Sequence, residues 1–121
     1  QMDHVSGTMA MLPEIINAVD GAAEVIIDGG FMRGTDVLKA LALGAKAVGL
    51  GRFHAWALAA GGQEGLVRAL EILEAEIKND MGLVGLTSID EIDKSYITTA
   101  PAVTEAHELG AFPFLPENTR L

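Results

Sequence analysis

Two short apolar segments, each followed by glycine and arginine, frame a helical stretch in the first half of the chain. Residues 24–27 are largely β-branched and run into the Asp-Gly-Gly of residues 28–30, and residues 47–50 run into the Gly-Arg of residues 51–52. Between them, the pattern over residues 37–43 predicts a helix. A strand, a helix and a strand within about thirty residues predict two parallel strands joined by a right-handed crossover. Uninterrupted apolar strands are typical of α/β proteins whose sheet is covered on both faces.

The crossover helix and its neighbours have recognisable starts and stops. Thr35 or Asp36 can cap the crossover helix, and Gly44 ends it. Elsewhere the periodicity predicts a helix over residues 8–19, a short apolar helix over 53–60 that is broken by Gly61 and Gly62, and a long helix over 64–84. A capped turn is expected over residues 87–91, and an extended tail over residues 98–121, where the period is lost. In the long helix the apolar residues Leu66, Leu70, Leu73, Ile77 and Met81 share one face, and Glu71, Glu74 and Glu76 are expected on a solvated face.

Composition excludes several classes of protein. The 121 residues are 50% hydrophobic and contain no cysteine, so a packed core is expected, while a disulfide scaffold, a thiolate metal site and a thiol nucleophile are excluded. The formal net charge of −9 argues against nucleic-acid or anionic-membrane partners, so any positive site must be local. No apolar run reaches the roughly 18 residues of a membrane span, and we expect a cytoplasmic protein without a metal site.

The two strand ends carry the residues that phosphate binding needs. Ligands bind at the carboxyl ends of parallel strands, where glycine admits close backbone approach, a helix N-terminus supplies partial positive charge and arginine supplies a bidentate donor. Phosphate sites after the last two strands, beside a short extra helix, are common in TIM barrels. Residues 53–60 would be that short helix. The alternative is that the glycines only make tight turns and the arginines are solvated; two matching adjacent ends favour phosphate binding.

The motifs resemble those of a known family. The runs DGGFMRGTDVLKALALGAKAVGLGR over residues 28–52 and LAAGGQEGLVRALEILEAEIKNDMGLVGLTSIDEI over residues 58–92 are similar to the C-terminal part of the FMN-dependent α-hydroxy acid dehydrogenases and oxidases. This is the group of glycolate oxidase, lactate and mandelate dehydrogenases and flavocytochrome b2. The opening QMDH-x-x-GT-x-x-x-LPEI resembles the stretch after that family's sixth strand.

The resemblance implies an α/β chain that forms the C-terminal portion of a (β/α)8 TIM barrel. Residues 1–97 would hold the last two strands and surrounding helices, and residues 98–121 a C-terminal tail. A separate or missing N-terminal piece of the same enzyme would complete the barrel, the substrate would be a small 2-hydroxy acid, and the assembly a homotetramer. The residues carried over as FMN-binding are Asp28, Gly29, Gly30, Phe31, Met32, Arg33, Gly51 and Arg52.

Two departures from the family pattern matter. The family has two arginines in DGG-x-R-R-G, but Met32 occupies the first position, so the phosphate rests either on Arg52 and backbone amides alone or also on Arg33. The family's His-Gly-Gly-Arg, whose histidine takes the substrate proton and whose arginine holds the carboxylate, would directly precede Gln1. No catalytic residue is therefore expected within these 121 residues, and we expect the chain to be a cleaved product or a cut segment.

The histidines that are present are weaker candidates. His4 beside Asp3 resembles a base with an orienting carboxylate, but a plain loop histidine is the simpler interpretation. His54 could approach the phosphate, although a partly buried position on the short helix is favoured, and the same helix predicts Trp56 in the core. His107 in the tail has no identifiable partner. Two other interpretations stay open: a noncatalytic module that binds FMN or another phosphate ligand, and a structural half whose tail packs against another subunit.

Overall fold

The computed structural model describes residues 5–99, and its centre is the predicted strand, helix and strand. Strand β1 (Ile26–Asp28) pairs in parallel with β2 (Ala47–Gly49), and helix α2 (Gly34–Ala42) connects them. The register sets Ile27 beside Val48 and Asp28 beside Gly49. The prediction of an α/β chain with a parallel crossover is confirmed, and each strand is shorter than predicted because only three residues on each side pair.

Two further helices flank this unit. Helix α1 (Thr8–Val19) has the bounds that the periodicity predicts. Helix α3 (Arg52–Val84) joins the two predicted helices across a kink at Gly61 and Gly62, whose backbone angles are not helical. One-turn 3₁₀ helices at Ile89–Glu91 and Lys94–Tyr96 complete the described part. Within residues 5–99, the structure contains no helix with the length and apolar character needed to cross a membrane.

The core lies between α1, the strands and α2. Its buried residues are Leu12, Ile27, Phe31, Ala40 and Ala45. Helix α2 also packs on α3, where Leu73 is buried. The two helices are in close contact at Gly34, where a Cβ atom would lie 2.7 Å from the backbone nitrogen of Ile77. This close contact joins the loop after β1 to the middle of α3.

Several large apolar side chains remain exposed. Ile26 of β1 is 69% exposed, Leu83 near the end of α3 is 85% exposed, and Trp56 is 52% exposed. The prediction that Trp56 lies in the core is wrong for the described residues, because none of them covers that face of α3. A parallel pair with an exposed apolar residue on β1 is incompletely packed by itself, since parallel sheets normally have both faces covered.

Candidate functional site

The ends of β1 and β2 lie side by side at one edge of the sheet. Asp28 is paired in register with Gly49, and a Cβ atom on Gly49 would lie 3.0 Å from Cγ and 3.1 Å from Oδ1 of Asp28. The exposed Asp28 carboxylate therefore leans across the end of β2. Gly51 and Arg52 follow β2 directly. The structure thus brings the two predicted strand ends to one edge, as the crossover requires.

The turn after β1 depends on glycine. Gly29 and Gly30 have φ values of +132° and +80°, a region that side chains with a Cβ atom rarely adopt. A Cβ atom on Gly29 would also lie 2.8 Å from Oγ1 of Thr8, at the start of α1. The backbone of this turn therefore runs tightly between the strand edge and α1.

The second strand end forms the N-terminus of α3. Gly51 is the N-cap residue of α3 and has no side chain that could cap the helix. No described atom lies within 4 Å of the position that a Cβ atom would take there. Arg52 is the first helical residue and is exposed. A helix N-terminus carries partial positive charge and N–H groups that lack intrahelical acceptors, and a guanidinium adds bidentate donors. This donor set suits a phosphate group, and the Asp28 carboxylate beside it suits hydroxyl donors.

His54 lies one turn into α3. Its side chain is exposed, and its Nδ1 atom contacts the carbonyl oxygen of Leu50. The prediction of a partly buried histidine is wrong, because the first turn of α3 projects away from the described core. His4 and His107 lie outside the described residues, as do Asp3 and the tail beyond Thr99.

Phe31 and Met32 contribute to the site in different ways. The Phe31 side chain is 3% exposed and belongs to the core, so only its backbone can face a ligand at the strand edge. Met32 is half-buried, and its N–H donates to Oδ2 of Asp36 at 3.1 Å.

The start of α2 differs from the prediction. Neither Thr35 nor Asp36 is the N-cap residue, because the helix begins at Gly34 and Arg33 precedes it in the N-cap position. Asp36 is the third helical residue, and its carboxylate reaches back to the N–H groups of the loop. The carboxylate therefore ties the first turn of α2 to the loop after β1.

Arg33 is bound by a residue that the sequence pattern did not indicate. Its Nε donates to both carboxylate oxygens of Glu76 at 2.9 and 3.1 Å, and its Nη2 lies 2.8 Å from Oε1. The hydrogen bond from Arg33, together with a second from the N–H of Gly34, holds the pKa of Glu76 below its usual range. The same carboxylate raises the pKa of Arg33. Glu76 was expected on a solvated face, and the helical period carries no signal for a partner 43 residues away.

Comparison with known proteins identifies the family. The model of the family described as FMN-dependent dehydrogenase matches residues 1–99. Human 2-hydroxyacid oxidase 1 is 50% identical over 101 residues, covering 84% of this chain and 27% of the relative. The peroxisomal (S)-2-hydroxy-acid oxidase of Oryza sativa subsp. japonica is 46% identical over 99 residues, covering 82% and 27%.

A solved structure agrees with this match. Mandelate oxidase with benzoyl-formic acid superposes with a TM-score of 0.71 and 50% identity, covering 74% of this chain and 27% of that chain. The chain therefore spans about a quarter of the length of the relatives it matches. Since the family model covers most of the chain and the strand-edge residues lie within it, the chain belongs to the FMN-dependent dehydrogenase family, whose cofactor is FMN.

Proposed function

We propose that the protein containing this chain oxidises a small 2-hydroxy acid to a 2-oxo acid with FMN, and that this chain holds the phosphate end of the flavin. The observation that carries the proposal is the pairing of two strand ends at one edge, with Asp28 beside Gly49 and the N-terminus of α3 directly after β2. The relatives named as 2-hydroxyacid and mandelate oxidases support the reaction class.

The proposed architecture is the C-terminal portion of a (β/α)8 TIM barrel, with β1 and β2 as its last two strands. Two parallel strands cannot close a barrel. The Ile26 side chain is 69% exposed, so the described residues leave this part of β1 without apolar cover. An N-terminal piece of the same enzyme, with the other six strands, would supply that cover. The proposed assembly of the completed enzyme is a homotetramer.

Within the completed barrel, residues of this chain bind and orient. Arg52 and the first N–H groups of α3 would hold the flavin phosphate, and Asp28 would accept hydrogen bonds from ribityl hydroxyls. Gly29 and Gly30 let the backbone pass close to the ligand, with the Phe31 and Met32 backbone beyond them. FMN, when bound, supplies the acceptor for the substrate's hydride. The base that takes the hydroxyl proton and the arginine that holds the carboxylate would lie in the N-terminal piece.

The test uses the complete protein that contains these residues. We expect it to purify with a flavin absorption spectrum, and that spectrum to bleach under anaerobic conditions when a 2-hydroxy acid such as glycolate, lactate or mandelate is added. A protein that takes up FMN but is not reduced by any of these acids would be the noncatalytic FMN-binding module instead. A protein that takes up no FMN would refute both functions.

The location of the protein stays a prediction. We propose a cytoplasmic enzyme, whereas the rice relative is peroxisomal by name. Fluorescence microscopy of the complete protein in its own cells would distinguish a diffuse cytoplasmic signal from one confined to an organelle.

A further inference from the structure

The loop after β1 is held by two carboxylates on its far side. Oδ2 of Asp36 accepts the N–H groups of Met32 at 3.1 Å and Arg33 at 3.0 Å. Oε2 of Glu76 accepts the next N–H, that of Gly34, at 2.9 Å. Three consecutive backbone donors therefore point into protein carboxylates, and these three N–H groups are not available to a phosphate.

The Arg33 side chain binds one of these two carboxylates, that of Glu76. Its Nε and Nη2 both lie against Glu76, so this edge of the guanidinium already makes its bidentate contact with a protein carboxylate. A phosphate that took the Nε and Nη2 edge would displace Glu76 and would also leave the Gly34 N–H without its acceptor. The Arg33 side chain is 70% exposed, so burial does not hold it there; the pairing with Glu76 does.

Packing at Gly34 supports the arrangement independently of charge. A Cβ atom on Gly34 would lie 2.7 Å from the Ile77 nitrogen and 2.8 Å from the Glu76 carbonyl carbon. The loop after β1 is thus in backbone contact with the turn of α3 that carries Glu76. A shift of that turn would move the loop, and with it Gly29 and Gly30 at the strand edge.

We propose that Arg33, Asp36 and Glu76 form a clamp that shapes the loop after β1 for the flavin phosphate, with Arg33 as a positioning residue rather than a phosphate ligand. This inference rests on the proposed function. It gives Glu76, which lies on α3, a role in shaping a loop of the cofactor site.

A double-mutant cycle on FMN binding tests the clamp in the complete protein. The variants are Arg33→Ala, Glu76→Ala and both together, with Arg33→Lys and Glu76→Gln as conservative versions that preserve folding. Each apo protein is titrated with FMN and with riboflavin, which lacks the phosphate. The control pair is Arg68→Ala and Glu71→Ala, which removes an exposed ion pair of 3.0 Å on the same helix.

We expect each single alanine variant to weaken FMN binding roughly fivefold and the double variant to weaken it no further, because both remove the same interaction. Riboflavin affinity should fall less than FMN affinity, since the loop is shaped for the phosphate, whereas a general folding defect would lower both affinities equally. The salt dependence of FMN binding by the double variant should stay at its wild-type value, because the lost pair carries no net charge and no phosphate contact is lost.

Other results overturn the inference. If Arg33→Ala weakens FMN binding and flattens its salt dependence while Glu76→Ala leaves affinity equal or higher, then Arg33 is a direct phosphate ligand. If neither alanine variant changes FMN affinity, the clamp has no role at the site. Wild-type protein that binds no FMN would refute the proposed function itself, which separates that failure from a failure of the clamp alone.

Discussion

The two strand ends look alike in sequence but are built differently. Each places glycine before an arginine, yet Arg33 is tied to Glu76 on the far side of its loop, whereas Arg52 is exposed in the first turn of α3 at the sheet edge. The difference arises from what lies behind each loop. Helix α3 presents a carboxylate to the first loop, and the second loop becomes the N-terminus of that same helix.

The comparison shows that an arginine after a strand can be held by a protein carboxylate. A guanidinium binds the nearest well-placed oxyanion, and a protein carboxylate that also accepts a backbone N–H is already in place before any ligand arrives. We therefore expect the end of β1 to shape the backbone of the site and the end of β2 to supply positive charge. Four predictions test this difference between the two ends.

The largest expected effect is at the second strand end. Arg52→Ala should weaken FMN binding by about 2 kcal/mol, or roughly thirtyfold in Kd, because it removes a charge-assisted contact to the phosphate. Fluorescence titration of the complete apoprotein measures this, with Arg68→Ala as the control for loss of a positive charge elsewhere on α3. An effect of Arg52→Ala no larger than that of Arg33→Ala would erase the difference between the two ends.

The next effect concerns packing behind the first loop. Gly34→Ala should lower the free energy of unfolding by about 2 kcal/mol, because its Cβ would overlap backbone atoms of α3. Gly82→Ala is the matched control: Gly82 also lies in a helix, has nothing within 4 Å of its Cβ position, and should stabilise by about 0.5 kcal/mol. Denaturant unfolding measures both, and equal effects would show that the close contact at Gly34 is absent in solution.

A smaller effect is expected at Met32, which occupies the position of the first arginine in the family's DGG-x-R-R-G motif. Met32→Arg should tighten FMN binding by about 1 kcal/mol, or roughly fivefold, because it would add a donor that Met32 lacks at the strand edge. Asn17→Arg adds the same charge on an exposed position of α1 and controls for net charge. If Met32→Arg leaves FMN affinity unchanged, the methionine at this position does not weaken FMN binding.

The smallest effect is the pH dependence of the Arg33 and Glu76 pair. The pKa of Glu76 in the folded protein is lower than its ordinary value of 4.5, so its stabilising contribution is complete above about pH 4.5 and is lost as the pH falls through the folded pKa. Because the Arg33 side chain is 70% exposed and solvent screens the pair, the contribution should be below about 1 kcal/mol.

Urea unfolding of wild type and Glu76→Gln across this range measures that contribution. The stability difference between them should shrink as the pH falls below 4.5. A difference that stays constant down to about pH 3 would mean that the charge on Glu76 does not hold Arg33.

Local signals were enough to predict most of the fold. The helical period over residues 8–19 and the paired Gly61 and Gly62 depend only on neighbours in the chain, so the bounds of α1 and the kink of α3 follow from them. Strand lengths were overestimated, because an apolar run does not say how many residues find a partner. Trp56 was misplaced for a related reason, since burial depends on surfaces that are distant in the chain.

The candidate site was predictable in position but not in its contacts. The strand, helix and strand order requires the two glycine-containing strand ends to meet at one edge, and the structure has them there. The role of Asp36 was half predicted: it lies in the first turn of α2, but it bonds the loop before the helix from the third helical position rather than from the N-cap. Glu76 carried no signal at all, because a charged residue on an amphipathic helix is ordinarily solvated.

Short-range patterns in the chain were enough to identify the family and the parallel crossover, and they predict the sheet edge at which a phosphate would bind. Only the tertiary structure decided that Arg33 is held by a protein carboxylate. Arg33 and Glu76 are 43 residues apart, and they meet because Gly34 lets α2 approach α3 to within backbone contact. That contact depends on helix packing in three dimensions, which no local pattern in the chain encodes.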